Sequence, residues 1–462
     1  MHKLKILSFI SILLVSVGCS SKKQNNDSDS QITSEIDDSY AKKTDERNYE
    51  FYNLIDEPDY TIHNMDDFMK VTDYNAFYKN PAFTVNVADD YVYSTTQKTA
   101  KSELNYLYWY SELVNGVMGF SIHDNNNSTW TVTFEFYKDA YIDSNETYPL
   151  IQDILYEDVE IKELDSSTTF SCEDETLLLL DVATSQQLWY ALEHGYRVNC
   201  LEDSPAEYYY LKAKEVVNSI IKDDMDEYDI AKTIYDYIEH HATYCYEALD
   251  AMDSDDMDNF PDRYCSGYKA FYIEGFFDNH SVVCDGFAKT YTLLGRIAGL
   301  NIVRGTGTPD RKYESKMVAG HAYCFVEIDG TYYLSCPTWG QTVVNSIGTL
   351  LHHSYFLSPE SYIGDYSCEF WNELNYTNTE NNKRYFEDRH FEYDDAKYST
   401  YIDSSDDFDV LFNFMNELDG TYQMNVLFSS QTLRSNFIDT YSNQGVNFLS
   451  LRSSYELILL KR

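Results

Sequence analysis

Ser281-Val282-Val283-Cys284-Asp285-Gly286-Phe287-Ala288-Lys289 is the stretch on which the reading of this chain turns. From Phe287 onward the apolar residues Phe287, Tyr291, Leu294 and Ala298 recur every three or four positions, and Gly299 marks a stop, so a helix is predicted. Cys284 then falls in its first turn. Unpaired backbone N–H groups and the positive end of the dipole meet there, and both favour a thiolate over a thiol. A buried structural cysteine is the commoner fate of an unpaired Cys. The catalytic reading gains its weight from a second run, Gly320-His321-Ala322-Tyr323-Cys324-Phe325-Val326-Glu327-Ile328-Asp329-Gly330-Thr331-Tyr332-Tyr333-Leu334-Ser335-Cys336-Pro337-Thr338-Trp339.

That second run reads as a hairpin. Two apolar, β-rich segments flank Asp329-Gly330, the strongest short-range signal for a two-residue type I′ turn. Folding there pairs Ile328 with Thr331, and by the same count Tyr323 with Cys336 and His321 with Thr338. Side chains alternate faces, so His321, Tyr323, Cys336 and Thr338 share one face and Cys324 takes the other. His321 and Cys336 become diagonal neighbours, roughly 7 Å apart at the backbone and within side-chain reach. A helix-start thiol and a strand histidine are the parts of a Cys-His acyl-transfer site.

These residues resemble the transglutaminase-like superfamily. The resemblance lies in V-C-D-G-F-A at Val283 to Ala288, G-H-A-Y at Gly320 to Tyr323, and P-T-W at Pro337 to Trp339. Upstream, Ile234-Tyr235-Asp236-Tyr237-Ile238 followed by Thr243-Tyr244 is similar to the helix and tyrosine that precede the family's cysteine. The match covers roughly Asp226 to Glu360, about a third of the chain. It implies an α+β fold with a papain-like/transglutaminase-like core, in which the helix bearing the cysteine packs on an antiparallel sheet. It also implies Cys284 as nucleophile and His321 as base. One departure matters, because the position of the family's aspartate, counted from the histidine, is Cys336 here. The third member of such a triad orients the imidazole and stabilises its cation. A thiol accepts hydrogen bonds weakly, and losing that carboxylate can lower the rate by about 10⁴.

Two functions therefore stand side by side. One is cysteine-dependent acyl transfer on amides, as a peptidase or amidase or as a protein cross-linker, with the Cys284 backbone N–H at the oxyanion and Tyr323 and Trp339 lining the cleft. The other is a catalytically inactive transglutaminase-like module that binds or scaffolds at the cell surface.

At the start of the chain, Lys3 and Lys5 precede an apolar run from Ile6 to Val17, followed by Gly18-Cys19. That pattern is a secretion signal, too short to span a membrane as a helix. A small residue directly before a cysteine resembles a lipobox, which implies cleavage there and diacylglycerol on Cys19. The expected location is extracytoplasmic, lipid-anchored to the cell membrane. Ser20 to Arg47 is polar and charged, which predicts a disordered tether.

The 462 residues, 43% of them hydrophobic, suffice for two or three domains. A formal net charge of −43 argues against nucleic acid, since nothing would neutralise phosphates. It reads instead as a solvated surface. The expected partners are a protein, peptide or cell-wall substrate, and the membrane through Cys19. No cofactor is expected. The expected division is 1–19 signal peptide, 20–48 tether, 49–180 N-terminal α/β module, 181–375 transglutaminase-like domain with leading helices, and 376–462 C-terminal α/β module.

The two flanking modules read alike. In the first, Asp66-Asp67-Phe68 opens a helix, Phe83 to Val87 is a strand, Thr99 to Val114 is a helix, and Val117 to Ile122 with Trp130 to Phe136 form a hairpin. In the second, Asp406-Asp407-Phe408 opens a helix, Tyr422 to Val426 is a strand, Gln431 to Tyr441 is a helix, and Val446 to Leu451 with Tyr455 to Leu460 finish the chain. The shared order suggests an internal repeat. Between them, helices are predicted at Ser185 to His194, from Ser204-Pro205 to about Ile221, and at Glu227 to His240.

The acidic run Asp253 to Asp258 lacks the glycine and closing glutamate of a calcium loop, so no metal is assigned. Nine cysteines less a lipidated Cys19 leave eight. With Cys284 and Cys336 free, Cys172, Cys200, Cys245, Cys265, Cys324 and Cys368 can make three bridges, of which Cys172–Cys200 and Cys245–Cys265 are the short-range choices.

Overall fold

The computed structural model describes residues 54–111, 113, 119–136, 159–165, 168–246, 248, 269–309, 321–344, 348–358, 366–368, 384, 393–394, 397–417, 422–442, 444, 447–450 and 456–461. The expected signal peptide with Cys19, the tether, the acidic run 253–258 and Cys265 lie outside the described residues.

The first unit runs β1 (Thr61–Ile62), α1 (Met65–Phe77), β2 (Ala82–Val87), α2 (Ala100–Tyr110), β3 (Gly119–Asp124) and β4 (Thr129–Glu135). Local chemistry starts both helices. Asn64 accepts from the Asp67 N–H at the head of α1, and Thr99 and Ser102 close a capping box on α2. The sheet order is β1-β2-β4-β3, with β1 parallel to β2 and the rest antiparallel. Strand alternation puts Phe83 and Val85 inside and leaves Thr84 and Asn86 exposed. The buried set joins Phe68, Leu107, Trp130 and Val132 in one core.

The central part follows with β5 (Leu179–Val182), α3 (Ser185–Glu193), β6 (Arg197–Cys200), α4 (Pro205–Ile220), α5 (Glu227–His241), β7 (Thr243–Tyr244), α6 (Ile273–Asn279) and β8 (Ser281–Val282). Then come α7 (Cys284–Ile297), β9 (Ile302–Pro309), β10 (His321–Ile328), β11 (Thr331–Ser335), α8 (Pro337–Gly340), β12 (Gln341–Val344), β13 (Gly348–Leu351) and β14 (Tyr366–Cys368). Strands β11-β10-β9-β14 form one antiparallel sheet. Helix α7 lies on it, burying Phe287, Tyr291 and Leu294 in the cluster that holds Ala322, Cys324, Val326 and Ile328. Helices α3 to α6 pack around α7 in turn. The fold is thus mixed helix and sheet of the α+β kind, with the helix that begins at Cys284 seated on an antiparallel sheet.

The hairpin register is the expected one. Asp329 and Gly330 both have positive φ, 51° and 75°, as a type I′ turn requires, and pairing runs from Ile328–Thr331 to Cys324–Ser335. It stops there. The extrapolated pairs Tyr323–Cys336 and His321–Thr338 do not form, because Cys336 leaves the strand to head α8 and Pro337 occupies its first turn. Proline has no N–H for a ladder and its fixed φ suits a helix start.

The last unit comprises β15 (Tyr393–Asp394), β16 (Lys397–Ile402), α9 (Phe408–Glu417), β17 (Tyr422–Phe428), α10 (Gln431–Tyr441), β18 (Asn447–Ser450) and β19 (Glu456–Lys461). Apart from β15 its strand order, β16-β17-β19-β18, has the directions of β1-β2-β4-β3. The register coincides too: Thr61 pairs with Asn86 and Ser399 with Asn425, each asparagine heading an Asn-Val pair. The second faces differ. Thr84 and Asn86 meet solvent, whereas Asn425 and Leu427 are buried, Leu427 in the central core.

A Cβ at Gly286, in the first turn of α7, would lie 2.5 Å from the Ala270 carbonyl oxygen and 2.8 Å from Val282 Cβ. In an open helix Gly→Ala stabilises by roughly 1 kcal/mol. Here the sign should reverse: Gly286→Ala is expected to destabilise by about 1–3 kcal/mol in denaturant titration. A stabilised variant would disprove this packing.

Candidate active site

Val283 heads helix α7 without a side-chain cap, its N–H donating to the Ala270 carbonyl at 2.9 Å, so the first free turn begins at Cys284. The Ala322 backbone N–H, one residue past His321, favours the thiolate. The net result is nevertheless a neutral thiol. Burial pushes Cys284 up to about 11, over the opposing pull of the Ala322 N–H and the Arg304 charge. The expectation of a helix-start thiolate is corrected here, since desolvation of the sulfur outweighs the exposed-helix effect.

His321 begins β10 and is buried. Its ring stacks on Trp339 at 4.3 Å between centroids and 12° between planes, and Nε2 lies 3.2 Å from Cys336 Sγ. Burial alone draws the imidazole down to about 3, so it too is neutral at ordinary pH. Cys336 is fully buried. That burial pushes its thiol well above its usual value, although the Trp339 N–H and the Thr338 hydroxyl favour the anion. The residues at the head of β10, the end of β11 and the start of α7 thus converge. Cys336 Sγ fills the place beside Nε2.

The turn carrying Cys336 is fastened from two sides. Tyr235 of α5 donates to the Cys336 carbonyl at 3.2 Å, and the Cys336 N–H donates to the Tyr355 carbonyl at 2.8 Å. Tyr355 also meets Trp339 edge-on at 5.2 Å. Tyr323 is wholly buried between His321 and Phe325, so it backs the histidine rather than lining an open cleft. Trp339 is 9% exposed and serves as the imidazole's stacking partner.

Beneath Cys284 lies a charged layer that the sequence reading did not find. Asp285 accepts from Lys289 Nζ at 2.8 Å and from Arg304 Nε at 2.6 Å, and these cations hold its carboxyl below the usual range despite burial. The Asp285–Lys289 spacing of i,i+4 was a readable signal. Arg304 comes from β9, and nothing in its own neighbourhood of the sequence announces the contact. Both cations sit over the Trp189 ring. Behind them Glu274 of α6 is fully buried, accepting from the Ser185 hydroxyl through Oε1, while Oε2 meets no donor. Burial pushes that carboxyl up to about 7.

The cysteine pairings need correction. Cys172, Cys200, Cys284, Cys324 and Cys336 are free thiols, so Cys172–Cys200 does not form, while Cys245–Cys265 involves a residue outside the described ones. The sulfurs have other neighbours: Cys172 lies 3.3 Å from the Tyr210 hydroxyl and Cys324 donates to the Ala288 carbonyl at 3.4 Å. They behave as small buried apolar groups with weak polar contacts. Among the described residues no three His, Cys, Asp or Glu side chains are placed to hold a metal ion.

No protein-family model matches the sequence, and no curated protein matches it. Among solved structures, a TGase aligns at 13% identity over 60% of this chain and 58% of its own, with a TM-score of 0.23. A candidate cysteine protease from Cytophaga hutchinsonii aligns at 12% identity over 50% of this chain and 65% of its own, with a TM-score of 0.20. This chain spans less than two-thirds of the length of either. At these scores neither likeness carries an argument, and the site is argued from its own residues.

A neutral thiol reacts only through its anionic fraction, so alkylation of Cys284 by iodoacetamide should keep accelerating from pH 7 to beyond pH 10. A plateau near neutrality, read by site-resolved mass spectrometry, would mean that a Cys284–His321 ion pair exists after all.

Glu274 has a folded pKa above its unfolded one, so its contribution to stability is present at low pH and fades as pH rises through about 7. Between about pH 4 and pH 8 the native protein should lose on the order of 3 kcal/mol that Glu274→Gln retains. Parallel stability curves for the two proteins would contradict the burial of that carboxyl.

Proposed function

We propose that this chain is an extracytoplasmic lipoprotein whose central part is a transglutaminase-like domain performing cysteine-dependent acyl transfer on amides. The observation that carries the reading is His321 Nε2 at 3.2 Å from Cys336 Sγ, with the neighbouring Ala322 N–H favouring the anion at Cys284. Cys284 Sγ attacks the amide carbonyl carbon while its proton passes to His321 Nδ1. The carbonyl oxygen becomes an oxyanion, held in part by the Cys284 backbone N–H at the helix start. As the C–N bond breaks, the imidazolium returns the proton to the leaving amine. The thioester left on Cys284 then passes its acyl group to water or to a second amine.

Both partners start neutral, so proton transfer belongs to the attack itself rather than to a standing ion pair. That places a demand on Cys336. For Nδ1 to take a proton, Nε2 must carry the hydrogen and donate it to the Cys336 sulfur, a weak acceptor. If the Cys336 S–H donates instead, Nδ1 holds the hydrogen and no base remains. The same observation supports a second reading, an inactive module of this fold that binds protein, peptide or cell-wall partners at the surface.

An aspartate at position 336 would fix the useful tautomer. Cys336→Asp should raise amide hydrolysis or amine incorporation by about tenfold or more, ~1.4 kcal/mol in barrier, and Cys284→Ala should abolish both. Higher Cys284 reactivity without turnover on any amide would favour the binding module. For the anchor, the intact protein should enter the detergent phase with lipid mass on Cys19, and Cys19→Ala should leave it unlipidated. A wholly water-soluble native protein without lipid would refute that part.

A further inference from the structure

We propose that Arg304 is a positioning residue for Cys284, acting through Asp285. This rests on Cys284 being the reactive thiol of the site. Asp285 directly follows Cys284 in the first turn of α7, and its negative charge opposes ionisation of the sulfur, whereas the Arg304 charge favours it. Arg304 is the one cation in this layer that comes from the sheet: it sits on β9 opposite Cys324 of β10, the strand that begins with His321. Its Nε reaches Asp285 Oδ1 at 2.6 Å, and its guanidinium lies over the Trp189 ring at 5.6 Å. Its backbone N–H donates to the Glu193 carboxylate of α3. Two helices, α7 through Asp285 and α3 through Trp189, thereby hold the guanidinium, while Glu193 of α3 holds its backbone.

Lys289 does a different job. It lies on the same helix as Asp285, bonds Asp285 Oδ2 at 2.8 Å and the Phe271 carbonyl at 3.2 Å, and sits over Tyr272 at 4.7 Å. An i,i+4 pair stiffens the helix but cannot tell it where the sheet is. Arg304 can, since its Nε–carboxylate bond spans from the histidine-bearing sheet to the residue beside the nucleophile. The fork geometry and ring stacking are properties of arginine that lysine lacks. The charged and titratable groups facing this contact are Asp285 and Lys289 of α7, Glu193 of α3, Cys324 of β10 and, behind Lys289, Glu274 of α6.

The test is the pH profile of Cys284 alkylation by iodoacetamide in the full chain, resolved by mass spectrometry. Arg304→Met should move the midpoint up by about one pH unit and slow the reaction about tenfold at pH 8, with Asp285 left uncompensated beside the sulfur. Asp285→Asn should move it the other way. The double variant Arg304→Met with Asp285→Asn should lie near the native profile, a rescue that a merely structural arginine would not show. Arg304→Lys should fall between. A native-like Arg304→Met profile, or a double variant no faster than Arg304→Met, would overturn the proposal. If Arg304→Met does not fold, an Asp285→Asn profile that fails to move down in pH overturns it equally. Alkylation needs no turnover, so a protein inert on every amide would sink the acyl-transfer reading and leave this inference intact.

Discussion

Helix α7 brings a cysteine to the head of a β-strand because nothing larger than hydrogen occupies two points of its contact surface. At Gly286 a side chain would strike the Ala270 carbonyl and Val282. At Gly295 it would lie 2.7 Å from Ile302 Cγ2 on β9. With both points empty, the helix axis can lie close enough for Phe287, Tyr291 and Leu294 to sink among the inward residues of β10. Close-packed interiors do not yield gradually, so a helix displaced by a methyl group would carry Cys284 away from Ala322 and His321. The remaining helices hold this contact from outside. Helix α5 in addition binds the Cys336 carbonyl through Tyr235.

Burial on that scale has an electrostatic consequence. The same enclosure that positions the three residues penalises every charged form among them, raising both thiols and lowering the imidazole. In a triad with a carboxylate, a fixed negative charge would offset the penalty on the imidazolium. Cys336 supplies none. Charge is present nearby, but one layer down, where Asp285, Lys289 and Arg304 neutralise one another. The site is therefore well built in shape and weakly biased in charge, and its two proposed functions differ on this point alone.

Much of this was legible in the sequence because the signals were local. Periodicity and caps placed Gln431–Tyr441 and Cys284–Ile297, and Asp329-Gly330 set a register that brought His321 and Cys336 together. What escaped depended on partners distant in the chain. The leading strands β1 and β16 were invisible, the first because two residues carry no pattern, the second because its pairing with β17 rather than its composition makes it a strand. Arg304 looked like any strand arginine until β9 was laid beside α7. Helix-end reasoning favoured a thiolate since it treats the helix as exposed, and desolvation by the sheet reverses the outcome. Counting cysteines for an oxidising compartment gave pairings that the interior replaces with contacts to Tyr210 and Ala288.

The two-residue turn at Asp329-Gly330 also bears on the order in which the site comes into being. His321 begins β10 and Cys336 directly follows β11, so closing one hairpin brings them near each other, and hairpins close in about 1–10 μs from contacts that are near in sequence. Cys284 belongs to a helix that must dock across the sheet, which demands closure of a longer loop and burial of the main core. By that ordering the imidazole is expected to come near the sulfur at 336 before the nucleophile arrives. A newly made chain would carry the Cys284 thiol without an assembled base, and the complete constellation would exist only once the core around α7 has closed.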